Sequence, residues 1–185
     1  MDFQEEKKLV EKAKDDPAAF GRLYDEYYPK IFGYVLRRTA NVEMTQDVVA
    51  EPFLKALKNL RRFKSNSSFG AWLYRLAANE IVNSWRREKP SLPLDDVREP
   101  RSDENLLEEI FLAQEKLARH QDFLAVQKEI RELPEKYQTV LTLRFFEEKQ
   151  IREIAEILGK NEGTVKSLLH RGLKRLKDRL PPSEH

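Results

Sequence analysis

Apolar side chains recur in this chain at intervals of three and four residues almost from end to end, and no stretch alternates strictly at two. A helix turns about 100° per residue, so this spacing lines one helix face, whereas a half-buried strand needs alternation. The sequence therefore predicts an all-α fold. Asp16 followed by Pro17 reads as an N-cap and first helical position. The helix it opens carries Phe20, Leu23, Tyr24, Tyr27, Ile31 and Val35 on one face, with Pro29 expected to kink or divide it. That aromatic stripe reads as bundle core.

A second helix is expected from Thr45 to Leu60, burying Val49, Phe53, Ala56 and Leu60. Asp47, Glu51, Leu54 and Lys58 fall opposite. A leucine among charges on an outer face is either ordinary surface scatter or the centre of a small docking patch with a charged rim. After the polar break Phe63-Lys-Ser-Asn-Ser-Ser68, a helix from Phe69 to Arg87 is apolar over most of its circumference. Its polar stripe is Arg75, Asn79, Asn83 and Arg86. Cations and amides in one line suit contacts to phosphates and base edges, and equally suit a solvated outer stripe.

Charge divides the 185 residues where periodicity weakens. Residues 1–90 hold 17 basic and 13 acidic side chains, 91–128 hold 5 and 9, and 129–185 hold 12 and 10. The middle segment opens with Pro90, Pro93 and Pro100 around Asp95, Asp96 and Glu99, a composition that resists continuous helix and suits a flexible connector. Within it, Ser102 to Arg119 is expected to form a helix through Leu106, Ile110, Ala113 and Leu117. Two small helical domains, 1–90 and 123–185, joined by an acidic linker over 91–122, are the expected organisation.

In the last third, Phe123, Val126, Ile130 and Leu133 repeat until Pro134, and Tyr137, Val140, Leu141 and Phe145 begin another helix. Ile151, Ile154, Ala155 and Leu158 then form a compact face ended by Gly159, and KNEGT restarts a helix carrying Val165, Leu169, Leu173, Leu176 and Leu180. Helix, tight turn, helix is the expected unit, with Ala155 permitting close crossing and Gly159 tolerating positive φ. Opposite the leucines lie Ser167, His170, Arg171 and Lys174, with Thr164 and Lys166 near the start. A basic outer face on this turn geometry favours a DNA-reading helix-turn-helix over a merely solvated helix.

Catalytic and membrane functions find little support. The chain has no cysteine, which excludes disulfides and thiol nucleophiles. His120, His170 and His185 lack metal-ligand spacing, and neither a Walker loop nor a nucleophile elbow is present. No metal or cofactor is expected. No apolar run is long enough to span a bilayer, and MDFQEEKKLVEKAKDD lacks the apolar core of a signal peptide, so the expected location is the cytoplasm.

The ordered motifs DPAAFGRLYDEYYPKIFGYVLRR, TQDVVAEPFLKAL, FGAWLYRLAANEIVNSWRR, LPEKYQTVLTLRFFE and IREIAEILGKNEGTVKSLLHRGLKRL together resemble regions 2 and 4 of a bacterial extracytoplasmic-function (ECF) sigma factor of the sigma-70 family. The likeness covers nearly everything but the acidic linker. It implies a non-enzymatic transcription initiation factor. Region 2 would dock on the clamp helices of the largest subunit of RNA polymerase through Asp47, Glu51, Leu54, Lys55 and Lys58, and the polymerase flap region would be a further contact. The segment Phe63, Lys64, Ser65, Asn66, Ser67 and Ser68 matches the one that captures a flipped non-template base of the minus-ten element. Arg75, Asn79, Asn83, Arg86 and Arg87 would flank the melted DNA. Region 4 would read the minus-thirty-five element through Thr164, Lys166, Ser167, His170, Arg171 and Lys174. The resemblance also implies an anti-sigma factor as inhibitory partner, and a linker that passes through the polymerase active-site cleft. Four positions depart from the family pattern. Ala50 replaces a usual glutamine, and Pro52 falls inside the docking helix, where it removes a backbone bond, so polymerase docking is expected to be weakened or re-aimed. Leu168 and Leu173 stand where arginine is common, so two DNA contacts are expected to be lost.

Overall fold

The computed structural model describes residues 1–64, 68–88 and 123–180. They form two compact units, the first from residues 1–88 and the second from 123–180. Among the described residues there are helices and turns and no strand, as the three-and-four spacing requires. The linker, its expected helix from Ser102 to Arg119, and Asp95, Asp96 and Glu99 lie outside the described residues.

The first unit contains α1 (Phe3–Ala13), α2 (Pro17–Thr39), α3 (Val42–Asn59), a 3-10 turn (Leu60–Arg62) and α4 (Phe69–Glu88). Each junction is written in capping residues. Asp2 accepts from the backbone of Gln4 and Glu5, Asp16 from Ala18 at 2.9 Å, and Asn41 from Met44 at 3.0 Å, each satisfying helix-start N–H groups that lack an internal partner. Ala40 ends α2 in the left-handed region at φ 52°. The helices enclose a core of Leu23, Ile31, Tyr34, Val35, Ala56, Leu60, Leu73, Tyr74 and Ile81, all at most 2% exposed. Tyr34 and Tyr74 meet edge-on with ring centres 5.3 Å apart.

Two expectations for this unit change, and one helix is added. α2 is undivided at Pro29, running on to Thr39. Tyr24 is 39% exposed rather than core, because it lies on the edge of the buried face, where it stacks on Tyr28 at 5.1 Å and leans on Phe53 at 4.7 Å. The first helix, α1, gave no clear signal in the sequence, since its apolar face is only Leu9, Val10 and Ala13 among eight other positions rich in charge.

The second unit contains α5 (Phe123–Arg131), α6 (Glu135–Leu141), a π-turn (Thr142–Phe146), α7 (Ile151–Leu158) and α8 (Glu162–Lys177). Pro134 stands as the N-cap of α6, and the buried Gln138 amide donates to the carbonyls of Arg131 and Leu133 at 2.8 Å each, closing the open end of α5. Val140, Leu141, Leu143, Ile154, Val165 and Leu169 are fully buried. α7 stops at Gly159, whose φ of 64° favours glycine, and Asn161 restarts the chain by accepting from the Thr164 N–H at 2.7 Å. Gly172 lets α8 lie against α6: a Cβ there would come within 3.2 Å of Leu141. Ile157, absent from the expected face of α7, is buried, while Ile151 and Leu158 are half-buried.

Candidate functional site

In the first unit, α3 buries Val48, Val49, Pro52, Phe53 and Ala56, which leaves Asp47, Glu51, Leu54 and Lys58 exposed in one line on the opposite face. The helix is continuous through Pro52, and because that ring is buried the outer line is unbroken. Leu54 is 47% exposed, and Leu57, one turn on, is 50% exposed. A pair of neighbouring leucines held open to water among the charges of the outer face is an apolar centre with a charged rim. The sequence reading missed Leu57, although its spacing of three from Leu54 was the available signal.

Lys55 behaves differently from the rest of that line. Its ammonium donates at 2.6 Å to Glu80, a carboxylate on α4 whose side chain is only 3% exposed. Arg87 donates to the other oxygen of Glu80 at 3.0 Å. Burial raises the Glu80 pKa, but the hydrogen bonds and charges of Lys55 and Arg87 outweigh it, leaving the group below its ordinary value. Two cations expected to meet partners are thus also tied to one internal carboxylate. Glu80 was not singled out from sequence, since a lone glutamate in an amphipathic helix gives no sign that its face is inward.

The sign of the pH effect follows. A depressed folded pKa stabilises the fold above the unfolded carboxylate range, and that contribution disappears as pH falls through the folded value. Glu80→Gln is expected to lower stability at neutral pH by on the order of 1 kcal/mol, because Lys55 and Arg87 are themselves well solvated. Urea unfolding between about pH 6 and about pH 3 checks this, the variant showing the flatter acid limb. Equal pH dependence in both proteins would contradict it.

On α4, Arg75, Asn79, Asn83, Arg86 and Arg87 are all exposed, so the polar stripe faces outward along the helix. The inner faces of the same helix carry Leu73, Tyr74, Ala77, Ala78 and Ile81. Just before α4, Phe63 is half-buried, its ring stacked on Trp72 at 4.7 Å and edge-on to Phe69 at 6.0 Å. Lys64 is exposed and Ser68 half-buried, its hydroxyl accepting from the Ala71 N–H at 3.2 Å. Ser65, Asn66 and Ser67 lie outside the described residues.

In the second unit, α8 presents Lys166, Ser167, His170, Arg171 and Lys174 away from its buried line of Val165, Leu169, Gly172 and Leu176. Two sequence expectations are corrected. Thr164 is 5% exposed and packs under the helix start, so its side chain does not belong to the outer face. Leu168 is 6% exposed and is core, so its side chain packs inward and does not stand on the outer face. Leu173 is half-buried. Further along, Arg175 lies over the Tyr137 ring at 5.3 Å and Arg179 pairs with Glu129 at 2.9 Å, so these two cations brace the fold.

Among the described residues no group of histidines and carboxylates is placed to hold a metal ion, and no helix is long and apolar enough to cross a membrane. Residues 23–90 match the family model described as Sigma-70 region 2, and residues 123–176 match Sigma-70, region 4. The ECF RNA polymerase sigma factor SigW of Bacillus subtilis is 32% identical over 184 residues, covering 97% of this chain and 98% of that protein. RNA polymerase sigma factor YlaC of the same organism is 34% identical over 162 residues, 87% of this chain and 91% of that one. In fold, the chain is similar to CnrH, solved in complex with the cytosolic domain of CnrY, with a TM-score of 0.70 at 20% identity over 97% of this chain and 99% of that one. It is also similar to the sigma factor RpoE of Bartonella quintana, solved with the anti-sigma factor NepR, with a TM-score of 0.63 at 18% identity over 89% and 98% of the two chains.

Proposed function

The chain belongs to the ECF branch of the sigma-70 family, and from that premise we propose how its two units divide the work of a transcription initiation factor. The first unit, assigned to residues 1–90, docks on the clamp helices of core RNA polymerase with the outer face of α3. Leu54 and Leu57 form the apolar centre, and Asp47, Glu51, Lys55 and Lys58 form the rim. The segment Phe63 to Ser68 captures a flipped base of the minus-ten element, and Arg75, Asn79, Asn83, Arg86 and Arg87 hold the flanking strand and backbone. The second unit, assigned to residues 123–185, reads the minus-thirty-five element with Lys166, Ser167, His170, Arg171 and Lys174 in or beside the major groove. The linker over 91–122 threads the polymerase cleft, where its negative balance suits a placeholder for nucleic acid.

The observation that carries this reading is the exposed line on α3. A helix whose other side is packed into the core keeps two half-exposed leucines on its outer face, and such a patch is favoured when a partner covers it. A free-standing helix-turn-helix regulator has no use for that face. A protein that binds polymerase without initiating draws its support from Pro52, yet the outer line runs past Pro52 without a break. An anti-sigma factor is the expected inhibitory partner, competing for these same faces in the cytoplasm.

Run-off transcription by core polymerase on promoter-bearing fragments tests the reading. Discrete starts that depend on this chain are the expected result. Docking without any dependent transcript would instead favour the sequestering alternative.

A further inference from the structure

Glu6 is a buried acidic side chain of α1, 6% exposed, that none of the proposed interfaces uses. Its carboxylate accepts from the backbone N–H groups of Phe69 at 2.8 Å and Gly70 at 3.2 Å, the first two residues of α4. The Tyr27 hydroxyl of α2 donates to it as well. An anion there satisfies two N–H groups that α4 cannot satisfy itself and meets the positive end of that helix. The fit is close, for a Cβ on Gly70 would lie 2.8 to 3.1 Å from the Tyr27 ring. Burial, and then the hydrogen bond to Glu6, push the Tyr27 phenol well above its ordinary pKa, so it stays a donor. Three helices therefore meet at one carboxylate.

The first turn of α4 is also where both flanks of the 63–68 segment rest. On one side the chain enters α4 directly at Phe69. On the other, the Phe63 ring stacks on Trp72 and meets Phe69 edge-on. We infer that Glu6 is a positioning residue for capture of the minus-ten base: it fixes the first turn of α4, and with it Phe63 and Ser68 at the two flanks of the capturing segment. This inference rests on the reading of 63–68 as the base-capturing segment.

The test uses holoenzyme assembled from core polymerase and the full chain. Fluorescent single-stranded oligonucleotides carry the mapped minus-ten element with each of the four bases at the flipped position, and the readout is the ratio of best to worst affinity. Glu6→Ala is expected to lower that ratio about fivefold, because a misplaced first turn of α4 weakens the best base more than the worst, while affinity for core polymerase is unchanged. Glu6→Gln keeps one acceptor oxygen for the Phe69 N–H and should recover part of the ratio. Tyr27→Phe removes only a hydroxyl and should give an intermediate loss, which keeps the test decisive if Glu6→Ala does not fold. Weakening of all four oligonucleotides by one common factor would mean that Glu6 serves stability alone, and would overturn the inference. A wild-type holoenzyme indifferent to the base would overturn the capture reading itself, and the inference with it.

Discussion

Replacing both Leu54 and Leu57 by aspartate is expected to lower affinity for core RNA polymerase by about two orders of magnitude while leaving the melting temperature of the chain nearly unchanged. Each side chain is about half exposed in the free protein, 47% and 50%, so its removal opens no cavity. Each still has roughly half its apolar surface left to bury, and an aspartate placed there must be desolvated without a partner. Pull-down or fluorescence titration against core polymerase reads the loss. The matching control is Val42→Asp, an exposed apolar residue at the start of the same helix, 57% open to water and outside the proposed line. Equal losses for the control and the double variant would mean that α3 docks by some other face.

The second large effect is expected on α8. Arg171 holds its own helix with Nε, which donates to the Ser167 carbonyl at 3.2 Å, and this steers the guanidinium along the outer face. Arg171→Ala should cost about 1 to 3 kcal/mol of discrimination at one position of the minus-thirty-five element, a factor of roughly ten to a hundred. Lys174→Ala should weaken all sequences alike and reduce the salt-dependence slope by about one. Arg175→Ala and Arg179→Ala provide the contrast. Both are cations on the same helix or just past it, but they brace Tyr137 and Glu129, so their loss should appear in thermal unfolding and leave the base preference intact. Footprinting with holoenzyme over 50 to 200 mM salt, roughly the range in which phosphate contacts dominate affinity, separates the three behaviours.

How much of this could be read from the sequence depends on what each residue's signal averages over. Helices α2 to α4 and the turn at Gly159 were legible because periodic apolar residues, N-caps and a glycine each act within a few positions of one another. Helix α1 was hidden for the opposite reason, since mixed charges surround a narrow apolar face. The outer line of α3 was also legible, as periodicity alone places Asp47, Glu51, Leu54 and Lys58 opposite the core. Whether an outward side chain is free or engaged is a different matter, and it is settled across helices. Lys55 and Arg87 sit 32 positions apart in the chain, and only the packing of α3 on α4 brings both to Glu80. Glu6 and Phe69 are further apart still, 63 positions. Leu168 and Thr164 show a finer limit: on a short helix crossed by a neighbour, the buried arc is wider than a single leucine stripe implies, and both fall inside it.

The departures from the family pattern divide along the same lines. Leu168 is explained by burial. Pro52 sits on the inner side of α3, where its missing N–H does not disturb the outer face. Nothing in the structure explains Ala50, which is exposed beside the docking line.

The chain is expected to give core polymerase a promoter specificity of its own. Sequencing the 5′ ends of transcripts made in vitro by core polymerase plus this protein, over a library of genomic fragments, tests it most directly. Discrete starts, absent without the protein and sharing two upstream elements at fixed spacing, are expected, and they should disappear with the Leu54, Leu57 double aspartate variant. Starts scattered without a common element, or unaffected by that variant, would contradict it.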